Sequence, residues 1–351
     1  MKKPCVRSFI FLCAVSLLTL CLITEARAQV EGFYKGKSIR IVVGFTPGGF
    51  YDGWARILAK HMPNYLPGNP GMLVQNMPGA GSLVAANYVY NVAKPDGLTL
   101  GMFQYNLHMD QLAGRKEVQF DVRKFVWIGS PAVESVVLYM RADAPYKSIK
   151  DIVKAKEAPK CGSSGTAGND YILAKMLEES IGAKFNTVLG YPGGSEIDLA
   201  VEKGEVVCRA HNISAHFGRE PFNSWHKKNF DRHIVQSSRK RDPRLPDTPT
   251  IYELFEEYKT ADVNRRVTQV MLAGADFGRP MAGTPGIPPE RVKALREAYA
   301  MAMKDAELLA DAKKARMDVE PSTGEELEEL IKKVMDQPKE VSERVKKLLE
   351  N

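Results

Sequence analysis

Several things are scarce or missing in this 351-residue chain. It has five cysteines, and three of them, Cys5, Cys13 and Cys21, fall within the first 21 residues. A small disulfide-built scaffold is thereby excluded, since only Cys161 and Cys208 stand in the body of the chain. Long apolar runs are scarce too. The one present, Phe9 to Ile23, covers about 15 residues, short of the roughly 18 to 20 that a spanning helix needs. No internal repeat, low-complexity tract or long Pro/Gly/Ser linker occurs, which disfavours domains on a flexible tether. Charge of one sign is not in great excess either: the formal net charge is +7.

What is present starts with a secretory leader. Lys2, Lys3 and Arg7 precede the apolar run and Ala26-Arg27-Ala28 follows it, so residues 1–28 read as a signal peptide cleaved after Ala28. Neither Cys13 nor Cys21 follows a small residue, which argues against a lipid anchor. Cleavage lowers the net charge to +4, too mild for a nucleic-acid partner. The mature product is expected to be a soluble periplasmic protein. Its densest basic run, SRKRDPR at 238–244, reads as a solvated loop, with a docking surface for a membrane partner as the alternative. In an oxidising compartment Cys161 and Cys208 are either a disulfide or two buried thiols, and spacing alone does not decide.

The mature sequence, with 44% hydrophobic and 26% charged residues, has the composition and length for two domains. Strand and helix patterns alternate nearly throughout, which predicts α/β layering with mostly parallel sheets. SIRIVVGF at 38–45 is a buried strand. GFTPGGFYD at 44–52 is a glycine turn, and Trp54, Ile57, Leu58 and Met62 recur at helical spacing with Asp52 at the N-cap. MLVQNMPGAGS repeats the arrangement, followed by a helix marked by Ala85, Tyr88, Val89 and Val92. Further on, CGSSGTAGND at 161–170 precedes a helix with Ile172, Leu173, Met176, Leu177 and Ile181 on one face and Gly182 as its stop. From Thr284 a single long amphipathic helix is expected, then a capping box at STGE, 322–325, and a charged terminal helix. These patterns predict two doubly wound α/β domains in a hinged clamshell with C-terminal helices. Domain I comprises residues 29–134 and 272–351, and domain II residues 135–271.

Enzyme signatures fail one by one. The GFTPGG turn lacks the Lys-Ser/Thr of a nucleotide loop, GAGSLV at 79–84 lacks the third glycine of a dinucleotide fingerprint, and CGSSGT fits no G-x-S-x-G frame. The six histidines include no H-E-x-x-H, and His211 and His216 are five apart, so neither a metal nor a cofactor is expected. What remains is a set of anion-ready turns: Gly48 and Gly49, residues 78–81, residues 163–166 and residues 192–194. In open α/β sheets ligands bind outside the C-terminal ends of parallel strands, where such turns lie.

Read in order, GFTPGGFYD with Ala55-Arg56, NMPGAG at 76–81, PDGLTL at 95–100, YPGG at 191–194, LPDTPT at 245–250 and GTPGIP at 283–288 resemble the Bug family, the extracytoplasmic solute-binding proteins of tripartite tricarboxylate transporters. The resemblance covers nearly the whole mature chain. It implies a type II periplasmic-binding-protein fold, a monomer whose two domains close over a small carboxylate, no catalysis, and delivery to transporter membrane subunits. Carried over by position, it nominates Phe45, Thr46, Gly48, Gly49, Phe50, Tyr51 and Asp52 with Pro78, Gly79, Ala80, Gly81 and Ser82 as a carboxylate clamp. Ser163, Ser164, Thr166, Gly193, Gly194, His211 and Asn212 would serve from domain II. The chain departs from the family pattern at Gly44, at Tyr51, and at His211-Asn212, where an acid is frequent; the missing acid argues against an amino-acid ligand. A ligand-dependent sensor partner is the alternative role, and an exported enzyme on the same fold a more distant one.

Overall fold

A computed structural model describes residues 30–163, 168–191, 194–218 and 220–349. The predicted signal peptide lies outside them. Its strands of three residues or more are β1 Ser38–Val43, β2 Gly71–Asn76, β3 Thr99–Met102, β4 Val126–Ser130, β5 Val136–Arg141, β6 Lys160–Gly162, β7 Asn186–Val188, β8 Cys208–Asn212, β9 Asp231–Gln236 and β10 Met281–Gly283. The helices used below are α1 Phe50–His61, α2 Leu83–Asn91, α3 Asn169–Ile181, α4 Gly194–Lys203, α5 Ile213–Gly218, α6 Phe222–Lys227, α7 Asp262–Phe277, α8 Pro289–Ala302, α9 Ala306–Lys314, α10 Gly324–Met335 and α11 Lys339–Leu349.

The chain divides into two compact α/β units. The first holds residues up to Phe103, Lys124–Gly129 and Met281–Ala315; the second holds Gln104–Arg123, Ser130–Pro280 and Arg316 onward. The expected division placed residues 104–123, 130–134 and 272–280 with domain I, and they fall in the second unit; it placed residues 316–349 with domain I as well. They belong instead to the second unit, because Val334 of α10 and Val341 and Val345 of α11 bury their faces in its core beside Leu173 and Leu177 of α3 and Val267 and Val270 of α7. Amphipathicity had specified that these helices bury one face, but not against which body.

In the first unit the strands run in the order β4-β10-β3-β1-β2. β1 is parallel to both β2 and β3, and β10 is antiparallel to β3 and β4. Ile39, Ile41, Val42 and Val43 of β1 are fully buried, as a strand covered on both faces requires. Trp54 and Leu58 of α1 join them; each such side chain contributes about 1.5–3 kcal/mol on burial. In the second unit the order is β7-β6-β8-β5-β9, with β6 parallel to β7 and β8 and β5 antiparallel to β8 and β9. Both sheets are therefore mixed. The antiparallel strands β5 and β10 each follow a passage of the chain from one unit to the other, and no helical crossover forces them parallel.

Local signals were read with small offsets. Gly182 closes α3 in a left-handed conformation, φ 70°. The capping box sits one residue later than expected: Thr323 Oγ1 accepts from Glu326 N at 3.2 Å and Glu326 Oε2 from Thr323 N at 2.7 Å. The long helix expected after Thr284 is two, since Asp305 accepts from the amides of Glu307 and Leu308 and so starts α9 afresh. Cys161 and Cys208 stand in register on parallel neighbours β6 and β8, with Cα atoms 4.4 Å apart, and are joined by a disulfide.

Candidate functional site

In the first unit, β1 and β2 are parallel and in register to their ends, Val43 opposite Asn76. The turns that leave them, 44–49 and 77–82, therefore lie side by side, each leading to a helix. The N-cap of α1 is Gly49, which has φ −81° and no side chain to cap with. Asp52, expected at that position, is the third residue of the helix, and from there its carboxylate reaches back over the turn. Oδ2 accepts from Gly48 N and Arg56 Nε, both at 2.9 Å; Oδ1 accepts from Arg56 Nη2 at 3.0 Å and Asn76 Nδ2 at 2.9 Å. Burial alone would raise the pKa of Asp52, but the bonds from Arg56, Gly48 and Asn76 outweigh it and hold the value at about 2. At 3% exposure, with four bonds on two oxygens, Asp52 braces the turn and does not present itself to a ligand.

Asn76 uses the same Nδ2 on the carbonyl of Phe45 at 2.9 Å, which ties the first turn to the end of β2. It was not among the nominated residues, although it heads the motif NMPGAG. The second turn is conformationally unusual. Gly79, Ala80, Gly81 and Ser82 have successive φ values of 147°, 45°, 61° and 81°. Left-handed backbone at the two non-glycine residues costs on the order of 1–3 kcal/mol each and is characteristic of functional turns. The turns also touch: a Cβ on Gly44 would come within 1.9 Å of Ser82 Oγ and 2.6 Å of its Cβ. That explains why this chain has glycine at 44.

Thr46, Gly48, Gly49 and Phe50 are exposed, as are Pro78, Ala80 and Gly81, while Ser82 is buried. Tyr51 is buried and stacks on Phe45, ring centroids 4.3 Å apart and planes 23° apart. Selectivity contributed by an aromatic at this rim would come from Phe50, which is 44% exposed. Together the two turns offer exposed glycine-rich backbone at two helix N-termini, an arrangement suited to a negatively charged oxygen group.

The second unit is built differently. Ser163, just beyond β6, is fully buried and donates its hydroxyl to Asp170 Oδ1. Asp170 faces Arg209 Nε across 3.5 Å, and Arg209 Nη1 donates to Asp198 at 2.5 Å and to the carbonyl of Gly194 at 2.9 Å. Tyr139 donates its hydroxyl to the same Asp198 oxygen at 2.9 Å. Ser163 and Gly194 thus back an interior ion network. Burial pushes the pKa of Asp170 up, against the pull of Ser163 and Arg209. Ser164, Thr166 and Gly193 lie outside the described residues.

His211 packs its ring 5.3 Å from that of Phe222. Asn212 donates Nδ2 to Glu134 Oε2, and Glu134 is also paired with the guanidinium of Arg279. An acid does lie next to Asn212, from another segment: Val136 pairs with Asn212, which sets residue 134 just past the strand end beside it. Burial raises the pKa of Glu134, opposed by Arg279 and Asn212. Tyr105 donates its hydroxyl to Asn169, and its pKa is pushed well up by burial and then by the charge on Glu134. Sequence reasoning missed Tyr105, Glu134, Asn169 and Arg279, which come from four separate segments; Asn169 alone sat inside a noted motif.

The basic run at 238–244 borders a cavity of about 400 Å³ in the same unit. Its arginines are paired: Arg239 with Asp276 at 2.8 Å, Arg241 with Glu253 at 3.1 Å, and Arg244 with Asp242 at 2.7 Å and Asp318 at 3.0 Å. Such a surface is close to neutral, which favours the solvated loop over a basic docking patch. Among the described residues no helix is long and apolar enough to cross a membrane.

Residues 54–347 match the model of the tripartite tricarboxylate transporter family receptor, TctC. The chain belongs to that family. A UPF0065 protein in the gbd 5' region of Cupriavidus necator is 31% identical over 65% of this chain and 67% of its own length. Among solved structures, a TctC solute-binding protein from Polaromonas superposes with a TM-score of 0.71 at 20% identity, covering 90% of this chain and 99% of that one. MatC from Rhodopseudomonas palustris, solved with bound malate, gives 0.57 at 20% identity, covering 90% and 99%. The receptor fold, two mixed α/β sheets with flanking helices, is thus shared at low identity.

Proposed function

We propose that this chain is an exported solute-binding receptor that captures a small di- or tricarboxylate, or a related organic acid, and delivers it to the membrane subunits of a tripartite tricarboxylate transporter. The observation that carries this reading is the pair of adjacent turns, exposed at 46–50 and at 78, 80 and 81, and braced from beneath by Asp52 and Asn76. A carboxylate at these turns gains charge-assisted bonds from backbone donors and the dipoles of α1 and α2, and no covalent step is involved. The negative charge of Asp52 does not oppose it, because Arg56 neutralises that charge at 2.9 Å. Malate in a relative of the same fold is consistent with this ligand class.

Glu134 beside Asn212 is already paired with Arg279, so it offers no unpaired acid to an ammonium group, which keeps the ligand class to organic acids. The test is a thermal-shift screen of the mature protein against mono-, di- and tricarboxylates, acidic amino acids and neutral sugars. A ligand at 100 times its Kd stabilises by about 2.7 kcal/mol. Response to neutral sugars and to no acid overturns the reading. Gly49→Trp sharpens the result: a Cβ there meets nothing nearer than the Thr46 carbonyl at 4.0 Å, so the fold should hold while the response is lost. For delivery, carboxylate uptake should fail in cells lacking this chain and return with the wild type but not with Gly49→Trp. Uptake that persists while carboxylate-induced transcription fails would point to the sensor role.

A further inference from the structure

Three histidines and one aspartate that the carboxylate turns do not use converge in the second unit. His216 comes from α5, His226 from α6, and Asp231 and His233 from one face of β9. His216 Nε2 lies 3.0 Å from His233 Nε2, 3.1 Å from His226 Nε2 and 3.0 Å from Asp231 Oδ2. Asp231 Oδ2 is 3.5 Å from His226 Nε2 and 3.6 Å from His233 Nε2, and all four ligand atoms fall within 4.8 Å of one another. A tetrahedral zinc ion with bonds of about 2.0–2.1 Å separates its ligand atoms by about 3.3 Å, among the separations of 3.0 to 3.6 Å given above.

We propose that His216, His226 and His233, each through Nε2, and Asp231 through Oδ2 form a four-coordinate zinc site. Protein groups alone account poorly for the arrangement. The Asp231 side chain is fully buried, and neither oxygen meets a donor in hydrogen-bond geometry. A buried carboxylate with no hydrogen-bond donor is unfavourable, and a divalent cation on Oδ2 would relieve it. Imidazole donors select zinc-like ions over magnesium or calcium, which favour oxygen.

The His216 ring is fixed by packing, its centroid 4.8 Å from Tyr139 and 4.6 Å from Phe222, and its Nδ1 has no acceptor. His226 and His233 keep 23% and 20% side-chain exposure, which leaves an entry path. Four protein ligands close the shell, so the site is structural: it pins α5 and α6 onto β9. His211, the nearest histidine in sequence to His216, is not part of it, and Cys161 and Cys208 are committed to their disulfide.

The test uses untagged mature protein, stripped with chelator and dialysed, then titrated with zinc by calorimetry and analysed for metal after gel filtration. One zinc per chain and a raised melting temperature are expected, with no response to magnesium. The double variant His226→Ala/His233→Ala should bind at least tenfold more weakly with unchanged far-UV circular dichroism. If that variant loses its fold, His226→Gln, at the most exposed ligand, replaces it with the same expected loss. Wild-type protein that retains no zinc, or a folded variant that binds it as well as wild type, overturns the assignment.

Discussion

The two units place polar groups by opposite means. In the first, the candidate site is backbone: exposed glycine turns at the ends of β1 and β2, with Asp52, Asn76 and Arg56 set behind them as supports. In the second, side chains do the placing. Arg209 gathers Asp170, Asp198 and the Gly194 carbonyl, and Glu134 gathers Asn212 and Arg279. A backbone site tolerates loss of side chains and fails when they are added. A side-chain network does the reverse, and substitutions can test the contrast.

The largest effect on stability is expected from Arg209→Leu, which leaves Asp170 and Asp198 buried without their shared cation and should cost about 3–5 kcal/mol in urea unfolding. A loss below about 1 kcal/mol would mean the network does not hold this unit together. Cys161→Ala/Cys208→Ala comes next, at about 2–4 kcal/mol for opening a loop of 47 residues. Alkylation without reductant checks the bridge itself, since two added groups on the native protein would show free thiols. In the first unit, Asp52→Asn should cost about 1–3 kcal/mol by weakening the bonds to Gly48 and Arg56.

That variant also carries a pH signature. The folded pKa of Asp52 lies below its ordinary 3.8, at about 2, so its contribution is complete above about pH 4 and disappears as pH falls toward 2. The difference between wild type and variant should shrink over that window; a difference that stays constant rules out the ionised brace. The smallest effect is expected at Arg239→Ala, an ion pair with an arginine 64% exposed, at about 0–1 kcal/mol.

The same contrast explains what could be read from the chain. The strand at 38–43, the glycine turns and the Gly182 stop are written in consecutive residues, so propensity and motif reached them. Asp52 was assigned the wrong support role because a carboxylate three residues into a helix and one at its N-cap satisfy similar amides and differ by a small shift in register. Glu134 beside Asn212 was invisible, since 78 residues separate them and only the antiparallel register of β5 on β8 joins them. The histidine cluster was hidden likewise: its four members sit on two short helices and a strand, with no spacing that marks a common centre. The break before α9 was signalled by Asp305, but the apolar period running through it carried more weight than a single cap.

One feature of the first sheet bears on how the molecule is made. β10, three residues at 281–283, lies between β3 and β4, whose residues end at 130. During synthesis the slot between those two strands stays empty until Gly283 has emerged, so the sheet that bears the glycine turns is completed late. Non-local pairing of this kind delays folding. For the export proposed above, a polypeptide that stays unfinished for so long remains threadable, which is the state a narrow secretion channel requires.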